Sequence, residues 1–178
     1  MPMPTATTSP MTRLAANRIS TRRRLEYVKG YLALGMLAQA VQELSEIDLK
    51  DRFTPRVVEA RMDLLCEAKQ WSHLVALAKD YANLRPGHEK GRIMWAYALR
   101  EQGRVGEARA VLLEAEESLG ENTSAILHYN LACYHCLLGE LARAKSRLAK
   151  AFRLDEELRF CALKDADLQP LSHQVTSI

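Results

Sequence analysis

Beyond Arg24 the apolar residues recur at helical rather than strand spacing, almost without interruption. Spacings of i, i+3, i+4 and i+7 predict amphipathic helices of about a dozen residues. A longer period is superimposed on them. Gly35, Gly103 and Gly139 each close one such segment, and Ala40, Ala108 and Ala144 follow five residues later. Gly103 lies 68 residues beyond Gly35, twice a period of 34, with Lys69 at the midpoint. Gly139 lies 36 residues beyond Gly103, which predicts a two-residue insertion in the loop 120–123. Four units then start near Thr21, Pro55, Glu89 and Ala125.

Equivalent positions in these units carry related side chains. The eighth is Val28, Met62, Ala96 and Ala132; the twentieth is Ala40, Leu74, Ala108 and Ala144; the twenty-seventh is Ile47, Tyr81, Ala115 and Ala151. Small residues let helix backbones approach closely, and Leu44, Leu112 and Leu148 at the twenty-fourth position fill the gaps between them. Each unit thus predicts a first helix, a tight turn and a second antiparallel helix. No hairpin buries its apolar face alone, so the four are expected to stack around one continuous core. The last hairpin needs a cover. Residues 157–171 supply it as a C-terminal cap, with Leu158, Phe160, Cys161 and Leu163 on a short helix and 165–171 as a packed turn. Residues 172–178 are expected to fray.

The period and the small-residue positions resemble the tetratricopeptide repeat (TPR) over residues 21–156. The fourth unit carries the resemblance best, in Tyr129-Asn130-Leu131-Ala132-Cys133-Tyr134 with Leu138-Gly139, Ala144, Leu148 and Ala151. Trp95-Ala96-Tyr97-Ala98-Leu99 with Gly103 and Ala108 marks the third, and Leu84-Arg85-Pro86 closes the second. The fourth position, Trp in the family, is here Arg24, Val58, Arg92 and His128, and Arg61 replaces an apolar residue at the seventh. The segment 162–171 is similar to the closing segment of small bacterial TPR proteins of undefined activity. The resemblance implies an all-α fold, a right-handed α-α superhelix of four hairpins plus a C-terminal capping helix.

Charge alters this picture in one place. The net charge is +3, but residues 1–24 hold five Arg and no acid, leaving 20 basic against 22 acidic residues in the remainder. The basic residues concentrate in a short arm, so residues 1–20 are expected to be a disordered basic tail, and nucleic acid is disfavoured as a partner. The arm lacks the apolar run of a secretory signal, and the uncharged stretch beyond it, Gly30 to Gln42, is 13 residues and too short to span a bilayer. A cytoplasmic protein without membrane contact is expected. An Arg- and Thr-rich arm free of acids also has the character of a transit peptide.

The sharpest chemical feature is Cys133-Tyr134-His135-Cys136. On a helix the two thiols lie about 60° apart and share a face, whereas His135 and His128 lie about 100° and 140° away. Two ligands are too few for zinc, and a thiol some two turns inside a helix lacks the N-terminal amide groups that would make it reactive. Structural cysteines and hydrogen-bonded core histidines are expected. The chain shows no phosphate loop, nucleophile elbow or paired catalytic carboxylates. No enzyme activity, cofactor, metal or small-molecule substrate is expected.

In TPR folds the first helix of each hairpin lines the concave groove, and the resemblance implies groove positions Lys29, Glu59, Asp63, Glu67, Lys90, Ile93, Tyr97, Arg100, Ile126, Tyr129 and Cys133. Glu59, Asp63 and Glu67 stand at i, i+4 and i+8 and suit a cation, while Ile93, Tyr97, Ile126, Tyr129 and Cys133 suit apolar anchors. Two coverings compete with a partner: Lys29, Arg56 and Lys90 against the acids, and the C-terminal cap against the floor. Leu25 and Asp63 replace the Lys and Asn of the carboxylate clamp used by TPR co-chaperones, which counts against that mode. The expected role is an adaptor or scaffold holding a segment of another protein. A secretion chaperone shielding a client is the alternative, and an RNA-binding helical repeat using the Arg arm a lesser one.

Overall fold

The computed structural model describes residues 19–178, and every regular element in them is helical. Helices α1 (Thr21–Ala33) and α2 (Leu37–Ser45) form the first hairpin, and α3 (Pro55–Glu67) and α4 (Trp71–Leu84), joined by a short turn, are the second helix pair. The third is α5 (Glu89–Glu101) with α6 (Val105–Leu119), and the fourth α7 (Ala125–Leu137) with α8 (Leu141–Leu154). A short helix α9 (Leu158–Ala162) precedes a 3-10 segment, Ala166–Ser177. Short 3-10 turns also occupy Leu49–Asp51 and Gly120–Asn122. The second of these lies where the 36-residue spacing calls for an insertion. The expected arm, residues 1–20, falls almost wholly outside the described residues.

One turn joins the helices of all four pairs. Gly35, Lys69, Gly103 and Gly139 take φ of 68°, 53°, 76° and 77°. In the first, the Gly35 amide donates to Leu32 O and the Met36 amide to Tyr31 O, at 3.0 and 2.8 Å. The same two bonds recur at 69 and 70, 103 and 104, and 139 and 140. This is the Schellman arrangement, which satisfies the last carbonyls of the first helix and requires a left-handed residue. Glycine takes that conformation freely; Lys69 does so against its Cβ.

The interior follows the repeat positions. The residues at positions eight, twenty and twenty-seven are at most 5% exposed in every unit. Where contact is closest even Ala is too large: a Cβ on Gly91 would stand 2.9 Å from Tyr81 Cδ1 and 3.0 Å from the Ala82 amide nitrogen. Helix α5 therefore lies directly on α4.

Two compact units divide the chain, the first ending at Leu64 and the second running Leu65–Ile178. In the first, Val28, Ala40, Leu44, Ile47 and Val57 form the buried cluster. Arg24, at the family's Trp position, keeps a side chain only 12% exposed by pairing with Glu43 and Glu46, each at 2.6 Å. In the second unit Arg92, at the equivalent position, pairs with Glu114 at 3.0 Å. A cation bonded across the hairpin thus replaces the indole in both.

In the second unit α7 is the central element. Leu127, His128, Tyr129, Leu131, Ala132, Cys133, Tyr134, His135 and Cys136 are all buried, so it has almost no polar face. It packs against α5, α6, α8 and the C-terminal 3-10 segment. Leu168, Leu171 and Val175 of that segment are fully buried. Arg159 donates to Val175 O at 3.0 Å. Within the expected tail 172–178, Val175 is buried together with Leu168 and Leu171. Among the described residues no helix is long and apolar enough to cross a membrane.

Both histidines of α7 are bonded core residues. His128 Nε2 lies 2.9 Å from Thr123 Oγ1, and His135 Nδ1 lies 2.6 Å from Glu140. Burial pushes the His128 imidazole below its ordinary pKa, and the Lys150 charge adds to the effect.

Replacing Lys69 by Gly removes the one strained hairpin turn, and should stabilise the protein by about 0.5–1 kcal/mol, read as a rise in melting temperature of about 2–4 °C. A fall would show that the Lys69 side chain contributes more than its backbone costs.

His128 sets a pH dependence. Its folded pKa lies below the unfolded one, so the unfolded chain takes up the proton first. Stability is then lost as pH falls through the ordinary histidine range, at about 6.5 and below. The melting temperature should drop between about pH 7.5 and about pH 5.5, and His128→Gln should flatten that slope. An unchanged slope would assign it to other groups.

Candidate functional site

Helices α5 and α7 lie side by side in the second unit, and the cap segment packs on α7 and meets the last turn of α5 through Asp167. Arg100, in the last turn of α5, is pinned there. Its Nε donates to Asp167 Oδ2 at 2.8 Å, Nη2 donates to Oδ1 of the same carboxylate, and Nη1 reaches Glu101. This bidentate fork strongly raises the Arg100 pKa, the Asp167 hydrogen bonds being the main cause. Two residues earlier in the chain, Asp165 bonds both sides of the junction. Its Oδ1 accepts from the Asp167 amide at 2.9 Å, capping the 3-10 segment, and its Oδ2 accepts from Tyr129 Oη at 2.8 Å. Cys133 Sγ lies 3.7 Å from the same oxygen.

Tyr97, Arg100, Glu101, Cys133, Asp165 and Asp167 line a cavity of about 180 Å³, together with Asn130 and Tyr134. Burial pushes the Tyr129 phenol and the Cys133 thiol far above their usual ranges, and raises Cys136 as well. A thiol whose pKa is raised by burial is held in its protonated form, the poorer nucleophile. Tyr97 is raised by burial first and then by Glu101. Donor atoms of Cys133, Asp165 and Asp167 lie within 4.8 Å of one another, a donor set for a divalent ion that helix periodicity alone does not reveal. The guanidinium of Arg100 already supplies positive charge to that cluster.

The expected groove residues fall in both units. Lys29, Glu59 and Asp63 belong to the first unit, and Glu67, Lys90, Ile93, Tyr97, Arg100, Ile126, Tyr129 and Cys133 to the second. Lys29 and Glu67 are exposed, whereas Glu59, Asp63 and Lys90 are half-buried and already engaged within the chain. Tyr129 and Cys133 are only 8% and 4% exposed, covered by the cap rather than open. Tyr97 and Ile126 remain at 36% and 43%, with Ile93 half-buried beside the core. Trp71 meets Tyr97 edge-on, ring centroids 6.0 Å apart, and holds its ring upright. The residues that hold the cap, Asp165 and Asp167, are absent from the expected set. Their signal is local: an Asp-x-Asp ahead of Leu168 and Leu171 is a cap before an apolar run.

No family model matches this chain, and no curated protein is significantly similar to it in sequence. Among solved structures it is similar to a thermophilic TPR protein of Thermus thermophilus, with a TM-score of 0.69 and 20% identity over 84% of this chain and 80% of that one. At that identity the likeness is one of fold, and the fold is the all-α helical-repeat solenoid of TPR proteins.

The Arg100–Asp167 fork fastens the cap, and its energetics are separable. Arg100→Met and Asp167→Asn should each cost about 1.5–3 kcal/mol, because each leaves a partly buried charged group without its partner. Denaturant titration of the double variant should give a loss clearly below the sum of the two. Additive losses would show that the two groups act independently.

Proposed function

We propose that the chain is a non-enzymatic interaction module that holds a segment of another protein on the first-helix face of its hairpins. Tyr97 and Ile126 carry this reading. They are large apolar side chains left exposed on α5 and α7, helices whose remaining apolar residues are mostly covered. An aromatic ring braced by Trp71, beside a pinned guanidinium, is the type of rigid anchor that dominates binding energy. The TPR fold adds support, because such repeats present their first helices to partners.

The partner segment places apolar side chains on Tyr97, Ile93 and Ile126. Glu67, the exposed acid at the end of α3, offers the partner a place for a basic residue. Tyr129 and Cys133 support this surface from beneath and do not touch the partner. An adaptor or scaffold working in the cytoplasm is the role we favour, without cofactor or small-molecule substrate. A secretion chaperone would use the same surface for a client. An RNA-binding repeat would need the Arg-rich arm and a steep salt dependence.

Affinity capture from the native organism followed by calorimetry tests the proposal. Tyr97→Ala should weaken binding by about 2 kcal/mol or more, roughly thirtyfold, and Ile126→Ala by less. Tyr129→Ala should instead lower stability, because the ring is buried and bonded to Asp165. Unchanged affinity in folded Tyr97→Ala and Ile126→Ala proteins would remove this face from the partner contact.

A further inference from the structure

Helix α8 presents a second surface with opposite chemistry. Over Leu141–Leu154 it carries Arg143, Lys145, Arg147, Lys150 and Arg153 and no acid. Arg143, Arg147, Lys150 and Arg153 stand at i, i+4, i+7 and i+10, one stripe along the helix. They line a groove of about 530 Å³ whose floor includes Leu113 of α6 and His135 of α7.

Folding accounts for only part of this charge. A cation in the last turn, such as Arg153, is favoured by the helix dipole, but Arg143 and Arg147 in the first two turns are not. Like charges one turn apart repel. Two carboxylates answer the stripe, and both are shared. Glu116 accepts from Arg147 at 2.8 Å and faces Lys150 at 3.5 Å. Glu140 accepts from Arg143 at 3.1 Å while also holding Arg109 at 2.7 Å and His135 at 2.6 Å. Those three donors, His135 first, pull the Glu140 carboxyl down to about 2. Arg153 has no carboxylate partner among the described residues. Positive charge is left over, directed into the groove.

We infer that this α6–α8 groove is a second binding site, and that it takes a short acidic segment of a partner protein. The guanidinium forks of Arg143 and Arg153 match carboxylates in a bidentate manner. Ten residues of helix at 1.5 Å each make the stripe about 15 Å long, the reach of about four or five extended residues. Leu113 gives an apolar side chain between the acids somewhere to sit. No Phe, Tyr or Trp lines the groove, so it lacks the stacking platform on which single-stranded nucleic acid relies. This site uses residues other than those of the Tyr97 face, so either site can fail without the other.

The test is fluorescence anisotropy on the full chain with a labelled peptide of alternating Asp and Glu around one central Leu. The peptide should bind, more weakly as salt rises. Arg143→Glu with Arg153→Glu should lower affinity at least tenfold. The charge-matched control Arg22→Glu with Lys50→Glu should leave it unchanged, as should Tyr97→Ala. Should the reversal variant lose its helical signal, Arg143→Gln with Arg153→Gln replaces it and should still weaken binding severalfold. No binding, equal loss in the control, or tighter binding of an oligouridylate of equal charge would each overturn the proposal.

Discussion

Helix α7 offers almost no polar side to solvent, and everything around it follows from the need to cover it. Its own hairpin partner α8 takes one flank, and α5 and α6 take others. The remaining flank follows the fourth hairpin and belongs to no repeat. The C-terminal segment fills that place with Leu168, Leu171 and Val175, each fully buried. Burying three such side chains stabilises the end of the stack by several kcal/mol, at about 1.5–3 kcal/mol each. The Arg100–Asp167 fork and the Tyr129–Asp165 bond set the register of that burial. Polar bonds specify where the cap lies; apolar area supplies most of the energy that holds it.

The ion pairs elsewhere follow the same division. Arg24 and Arg92 stand where the repeat family places a Trp. Arg92 reaches Glu114 on the second helix of its own hairpin, and Arg24 reaches Glu46 at the C-cap of its own. Glu46 and Glu114 occupy the same repeat position, so this is one solution used twice. A half-buried pair of this kind contributes little net stability, because desolvation offsets attraction. It does forbid a slip of one helix against the other, since a slipped pair leaves a charge desolvated and unmatched. Hairpins with small, interchangeable Ala contacts gain from that restraint.

Covering α7 also shapes what a partner can meet. The cap removes Tyr129 and Cys133 from the surface and leaves Tyr97 and Ile126 at its margin. The polar cavity between α5, α7 and the cap joins that apolar margin to the Arg100 cluster. On α8 the same unit presents a groove dominated by cations. Two chemically distinct faces thus lie on one stack of helices.

The repeat itself was legible in the amino-acid sequence. Its left-handed turns at Gly35, Lys69, Gly103 and Gly139 follow from backbone geometry that only a few residues tolerate. The small residues at helix crossings follow from the distance between neighbouring backbones. Both constraints act within about 35 residues and leave a periodic trace. The core roles of His128, His135 and the α7 cysteines were legible for the same reason. Tertiary structure alone decided which groove residues stay open, because Tyr129 is covered by a segment 36 residues away that belongs to no repeat. It also decided the chemistry of α8. Its cations meet Glu116 of α6 and Glu140 at its own N-cap only in the folded chain, and those two carboxylates are too few to answer them. Contacts between non-equivalent positions carry no period, and such contacts determine which surfaces of a repeat protein remain free to bind.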